Sequence, residues 1–264
     1  MKQINPHDDP YLRMLVYGIP GSGKTRCVVT AALDDRTWPC LYLNVAGNPL
    51  SVRKYSRLPK MLEIESMADF NPVYNWLAQG QDPNAAIVKA YDLLGDGPYK
   101  CVIIDQITEV QRVAFRMITK NGELGPGTLG KALGRQEFGT GLELMTRFAS
   151  LFLQLPMHVI IVAQEKTEKD ETTGSISVAP YLWGQADVEV TSFAYIAMRM
   201  MTRISIPNAV KLSLQIKEDV FDGGATAVGL FKQSGKYIAK DQYGGCGDFM
   251  VNPSITKILD AIGK

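Results

Sequence analysis

An apolar run, Tyr11 to Tyr17, leads straight into GIPGSGKT, Gly18 to Thr25, and then into a second apolar stretch, Cys27 to Leu33. The octapeptide matches the spacing G-x-x-x-x-G-K-[ST] at every fixed position. The order strand, tight loop, helix that this prescribes is the opening unit of an α/β sheet, and the chemistry it predicts is binding of a nucleoside triphosphate. Gly18, Gly21 and Gly23 let the backbone curl so that successive N–H groups face phosphate oxygens. Lys24 adds a point charge near the β- and γ-phosphates, and the Thr25 hydroxyl is the expected Mg2+ ligand. The helix opening near Gly23 aims its positive end at the anion. The nucleotide-binding residues read this way are Gly18, Ile19, Pro20, Gly21, Ser22, Gly23, Lys24, Thr25 and Arg26. A glycine-rich turn that only joins a strand to a helix is the plainer alternative, against which the flanking apolar runs supply the required context.

The chain has 264 residues, enough for one large α/β domain or two small ones. Lys and Arg number 28 against 27 for Asp and Glu, so no global field draws the molecule to DNA or to an anionic membrane. Any nucleic-acid site must be a local patch. Cys27, Cys40, Cys101 and Cys246 show neither C-x-x-C nor zinc spacing and read as buried thiols in a reducing compartment. The N-terminal decapeptide is polar, and no run approaches the ~18 apolar residues of a membrane span. A cytoplasmic location without membrane association is the expectation.

Apolar runs alternate with helix-period segments through the first two-thirds of the chain, which predicts βα units and a mostly parallel sheet. Strands are expected at Tyr11–Gly18, Cys40–Val45, Met61–Ile64, Cys101–Asp105 and His158–Gln164, with helices at Asn84–Leu94 and Gln106–Thr119. From Gln136 to Leu155, residues Phe138, Leu142, Met145, Phe148, Phe152 and Leu155 form one stripe, the pattern of a long amphipathic helix. Beyond Gln164 the texture turns β-rich, with Phe193–Ser205, Lys211–Ile216 and Ala227–Gln233 reading as strands and Pro253–Ile262 as a short helix. Two loops interrupt the scheme, Lys120 to Gly134 with five glycines and a proline, and the polar Glu165 to Ser175. Long loops on one edge of a sheet usually carry function; solvated surface excursions are the bland alternative.

CVIID, Cys101 to Asp105, closes an apolar strand with an acid. A carboxylate at the end of a strand adjacent to the phosphate loop can hold Mg2+ through water, and Asp105 is assigned that role. Alone, the pattern also suits an aspartate that caps a helix. Gln164 ends the strand HVIIVAQ, where its side chain is either a γ-phosphate sensor or a polar group meeting solvent. For the water-activating carboxylate, Glu65, Glu109 and Glu165 all follow core strands, and the sequence does not rank them.

These residues resemble the RecA-like recombinase ATPases, and more closely the phage-encoded Sak-type single-strand annealing proteins. The likeness covers nearly the whole chain: GIPGSGKT, VIIDQITEV (Val102 to Val110), NGELGPGTLG (Asn121 to Gly130), LPMHVIIVAQEKT (Leu155 to Thr167) and KQSGKYIAKDQYGG (Lys232 to Gly245). The resemblance implies a single α/β domain over residues 1–264, with a RecA-like P-loop NTPase core at about 11–190. A mostly parallel sheet flanked by helices would carry a β-rich C-terminal extension over about 191–264. It implies ATP and Mg2+ as cofactors, and two DNA-binding loops at Asn121–Gln136 and Lys166–Gln185. Lys120, Lys131, Arg135, Lys166 and Lys169 flank or occupy those loops as contacts to single-stranded DNA, although Glu165, Glu168, Asp170 and Glu171 offset the second. Tyr181, Trp183 and Phe138 stack on bases or, as aromatics more often do, simply pack. If subunits pack head to tail in a ring or filament, Lys232, Lys236 and Lys240 are candidates to reach a neighbour's phosphates; a solvated strand face explains them equally well.

Two departures bear on function. The family carries a glutamate just beyond the second core strand, where this chain reads Val45-Ala46-Gly47-Asn48, so hydrolysis is expected to be slow or served by another glutamate. The short N-terminus leaves no room for the element that recombinases use to grip a neighbour. The expected function is Mg2+-ATP-dependent annealing or pairing of single-stranded DNA. The alternatives are a nucleotide-gated module that recruits factors such as a single-strand-binding protein, and a P-loop motor or phosphotransferase unrelated to recombination.

Overall fold

The apolar runs pair into one sheet, and the order of pairing decides which strand ends can share a ligand. The computed structural model describes residues 9–45, 53, 55–93, 95, 97–120, 135–172, 174–202 and 227–264. The expected strand Lys211–Ile216 and most of the first glycine-rich loop lie outside these residues.

Six strands run parallel: β1 (Arg13–Gly18), β2 (Cys40–Asn44), β3 (Lys60–Glu63), β4 (Cys101–Asp105), β5 (His158–Lys169) and β7 (Ile196–Thr202). Strand β6 (Ile176–Pro180) pairs antiparallel with the far end of β5, and β9 (Lys240–Asp241) with β7. Strands β8 (Ala227–Leu230) and β10 (Phe249–Val251) extend the sheet antiparallel beyond β7. The order is β10-β8-β7-β1-β5-β4-β2-β3. The class is the expected one, α/β with a mostly parallel sheet flanked by helices. Strand β5 lies between β1 and β4 and pairs with both.

Both faces of the sheet are buried, which is why the central strands read as continuous apolar runs. Alternation sends Leu15, Tyr17, Val102, Ile104, Val159 and Ile161 to one face. There they meet α2 (Met67–Ala78), α3 (Ala86–Tyr91), α4 (Ile107–Lys120), α5 (Arg135–Leu153) and α6 (Ala186–Phe193). Met14, Val16, Ile103, Ile160 and Val162 face the other way. They are covered by α1 (Lys24–Val29), a 3-10 turn at Thr30–Leu33 and the C-terminal helix α7 (Ile255–Ala261). The predicted stripe on α5 is buried at Met145, Phe148 and Phe152, with Phe70 of α2 packed edge-on at 4.8 Å from Phe148.

Helices α2 and α6 are additions to the sequence reading. In α2, Pro72 sits inside the helix and masks its period, yet Ser66 and Asp69 form a reciprocal capping box, and Met67, Phe70, Val73, Trp76 and Leu77 are buried. The second predicted loop is also corrected. From Glu165 to Lys169 the chain remains strand, and with β6 it makes a hairpin that rises from the sheet edge carrying the phosphate loop. Its tip is closed by hydrogen bonds from Asp170 N to Ser175 O and from Gly174 N to Asp170 O. The segment before β9 straps this hairpin, since Val178 N donates to Lys236 O and Ile238 N to Val178 O.

Candidate nucleotide site

The turn after β1 requires glycine at its first position: a Cβ on Gly18 would stand 2.3 Å from the carbonyl oxygen of Met200 on β7. Gly23, at φ 90°, is in the left-handed region immediately before α1. Lys24 is buried at 8% exposure, and its Nζ donates to Gly18 O at 2.7 Å and Ile19 O at 2.9 Å. Burial lowers its pKa, against the opposing charges of Asp105 and Glu165. Among the described residues, Ser22 Oγ is the one buried side-chain polar atom without a hydrogen-bond partner. An orphaned hydroxyl inside this loop fits a site built to close on phosphate oxygens.

Asp105 ends β4, and Thr25 Oγ1 donates to its Oδ2 at 2.7 Å across 80 residues of chain. A hydroxyl that gives its hydrogen to a carboxylate keeps its lone pairs for a cation, and a hard oxygen pair of this kind suits Mg2+. Gln164 pairs with Gly18, and Asp105 with Val162, in the sheet register. Gln164 and Asp105 are therefore in phase with Val162 and belong to the α1 face, the face of the phosphate loop. Beside the loop opens a cavity of about 740 Å3, bounded by Gly21 to Cys27, Tyr55, Thr202 and Asn252 to Ser254. Exposed Arg26 is part of its wall. The residues present thus fit Mg2+ and a triphosphate: Thr25 and Asp105 would hold the metal, and the metal would neutralise charge on the phosphates.

The three candidate bases are dispersed. Glu65 follows β3, four strands from β1 in the sheet order, about 19 Å at the usual spacing, and is exposed at the start of α2. Glu109 lies in the first turn of α4 and pairs with Arg112. Glu165 falls on the face opposite α1, where Arg199 of β7 grips it through Nε at 3.1 Å and Nη2 at 3.2 Å. None stands free beside the loop as a poised base. Ala46 to Asn48 lie outside the described residues.

Of the basic residues expected to meet DNA, Lys131 and the side chain of Lys120 lie outside the described residues, and Arg135 is exposed at the start of α5. The Nζ of Lys166 is held at 3.0 Å by both Glu168 and Asp187. Lys169 is exposed near the hairpin tip, in the company of exposed Glu168, Asp170 and Glu171. Lys232 pairs with Asp248, and Lys240 donates to the carbonyls of Thr191 and Ser192 at the end of α6, so both are engaged within the chain. Lys236 is exposed on the strap. Trp183 and Phe138 pack with Phe115, Trp183 lying 4.2 Å from Phe115 and nearly parallel to Phe138 at 6.0 Å.

Four residues of the site's surroundings escaped the sequence reading. Tyr42 donates its phenol to Asp105 Oδ2, Thr108 Oγ1 accepts from Gln164 N at 3.1 Å, and Gln111 Oε1 accepts from Trp183 N at 2.8 Å. Arg199 is the fourth. The only signal for Thr108 and Gln111 was their place on α4 directly after the acid; for Tyr42 it was its alternation phase on β2.

A family model described as AAA domain matches residues 11–243. Among solved structures, one described as "Crystal structure of the RadB recombinase" is similar over 72% of this chain and 76% of that chain, at 13% identity and a TM-score of 0.32. Among curated proteins, none matches. No helix among the described residues is long and apolar enough to cross a membrane.

Proposed function

Since the chain belongs to the AAA domain family, matched over residues 11–243, we propose that it is a Mg2+-ATP-dependent recombination protein. In this reading it binds single-stranded DNA and promotes annealing or strand pairing, as the phage Sak-type proteins that its motifs resemble would. The observation that carries it is the polar line running from Asp105 into α4. Thr108, one turn on, holds the backbone of Gln164, and Gln111 holds the backbone of Trp183 at the foot of the second predicted loop. A change at the phosphates that moves Asp105 or Gln164 is thereby passed to residues 180–185 through a single rigid helix. Hydrolysis would use Lys24 for charge neutralisation, with the Thr25–Asp105 pair holding the Mg2+ that adds to it, in a ring or smaller assembly of the chain in the cytoplasm. Lys236, Arg135 and Lys169 stay exposed for a neighbour or for DNA.

A second reading, the nucleotide-gated module that recruits a partner such as a single-strand-binding protein, is favoured by one feature. Glu109 and Glu165 are committed to arginines and Glu65 stands at the far side of the sheet. The experiment that decides is ATP turnover with and without single-stranded DNA, beside a DNA-binding titration at several salt concentrations. Stimulated turnover and affinity that falls steeply with salt support the recombination reading. ATP binding with neither effect leaves the gated module.

A further inference from the structure

The carboxylate of Asp105 receives a second hydrogen bond that the phosphate-loop motif does not supply. Tyr42, on β2, donates its phenolic hydrogen to Asp105 Oδ2 at 2.5 Å, the same oxygen that Thr25 uses. Strand geometry accounts for the reach. Tyr42 pairs with Ile103, so Asp105 lies two residues further along β4 on the same face, about 7 Å away, a span that a tyrosine side chain covers. The ring is 1% exposed, packed in the α1-face core. Both donors converge on Oδ2, and no donor among the described residues bonds Oδ1. Burying a hydroxyl without a partner costs free energy, and a hydrogen bond to an ionised oxygen is about twice as strong as a neutral one. Such a bond therefore holds the carboxylate in one rotamer.

The geometry points to Tyr42 as a positioning residue for the metal-holding acid. By fixing Oδ2 between two hydroxyls it presents Oδ1 and the lone pairs of Thr25 Oγ1 as the acceptors that a hydrated divalent cation uses. This rests on the nucleotide-site reading above and adds a residue that no part of the phosphate-loop pattern specifies. Without the phenol the carboxylate regains rotamer freedom, and metal binding bears the cost of ordering it.

The test uses Tyr42→Phe, which removes one oxygen and keeps the ring. A fluorescent ATP analogue is titrated in EDTA and again across a series of Mg2+ concentrations. In the variant, metal-free affinity is expected to stay within about two-fold of wild type, while the Mg2+ concentration at half-effect rises about ten-fold, the scale of one hydrogen bond to a charged group. In an Asp105→Asn background, Tyr42→Phe adds nothing further. An unchanged Mg2+ midpoint overturns the proposal. So does a parallel fall in metal-free affinity, which a merely structural role would produce. Should the phenylalanine variant not fold, 3-fluorotyrosine at position 42 keeps the packing and strengthens the donor. A lowered midpoint then supports the role, and an unmoved one counts against it. A wild-type chain that binds no nucleotide removes the site reading itself, a result seen before any variant is made.

Discussion

Replacing Arg199 by methionine separates two accounts of Glu165, structural partner or catalytic base. The guanidinium and the carboxylate face each other in a two-pronged pair with side chains 9% and 7% exposed, and Arg199 also lies 5.3 Å from the ring of Tyr237. Methionine fills much of the volume but leaves Glu165 charged, buried and unpaired. Breaking a buried pair from one side costs about 3–5 kcal/mol. The lower end applies here, because Lys24 is close enough to feel the Glu165 charge and to offset part of the loss. At about 2.1 cal/mol/K per residue, the 264 residues carry an unfolding entropy of about 0.55 kcal/mol/K, so a loss of about 3 kcal/mol lowers Tm by about 5 °C. The double variant Arg199→Met with Glu165→Gln removes both charges and is expected to recover at least half of that loss, because a neutral amide has a far smaller desolvation cost. Thermal and urea unfolding followed by circular dichroism measure both. Turnover supplies the second arm. Glu165→Gln is expected to lower the ATPase rate by much less than the ~10²-fold that a general base contributes. A single variant that loses under 1 kcal/mol, or a double variant no better than the single, refutes the stability argument. A collapse of turnover with ATP binding intact in Glu165→Gln would install Glu165 as the base after all.

Lys24→Ala removes the ammonium that now bonds Gly18 O and Ile19 O, and loss of a charge-assisted contact to phosphate of about 2–3 kcal/mol lowers ATP affinity roughly 30- to 150-fold; unchanged affinity in an equilibrium titration would dismiss the phosphate-loop assignment. His158 predicts an acid limb of stability. Its Nδ1 accepts from Leu12 N, and burial, helped by the charge of Lys264, lowers its pKa from 6.5 to about 4. The folded state keeps the ring neutral, so the unfolded chain binds the extra proton. The stabilisation is complete above pH 6.5 and is lost as the pH falls toward 4, with about 2.5 kcal/mol gone at pH 4.5. His158→Asn retains an acceptor without a titration, and its urea midpoint is expected to fall less than that of wild type between pH 7 and 4.5; equal slopes would contradict the assignment.

What could be read from the linear chain was whatever physics confines to neighbours. The phosphate loop is contiguous, its glycines answer to local backbone sterics, and its lysine and threonine follow at fixed offsets. The strand Cys101–Asp105 and the stripe on α5 were legible because side-chain periodicity follows from backbone geometry alone. Helix α2 was missed although its Ser66–Asp69 box was written in the sequence, because an interior proline argues against a helix unless burial of Phe70 and Trp76 outweighs it. The polar stretch from Glu165 read as a loop for a similar reason. Its strand character comes from pairing with Ile176–Pro180, a partner that composition does not name.

Tertiary structure alone decided which strands are neighbours, and through that which side chains share an atom. Inserting β5 between β1 and β4 brings Gln164 level with Gly18 and leaves Asp105 to be reached by Thr25 from 80 residues away. The same order sets Tyr42 beside the acid and turns Glu165 toward Arg199 on the opposite face. Strand order is set by the burial of whole faces and by how each βα crossover packs, quantities summed over the entire sheet. A motif is set by the few residues it contains, so the loop and its acid could be read from the sequence, whereas Tyr42, Thr108 and Gln111 could not.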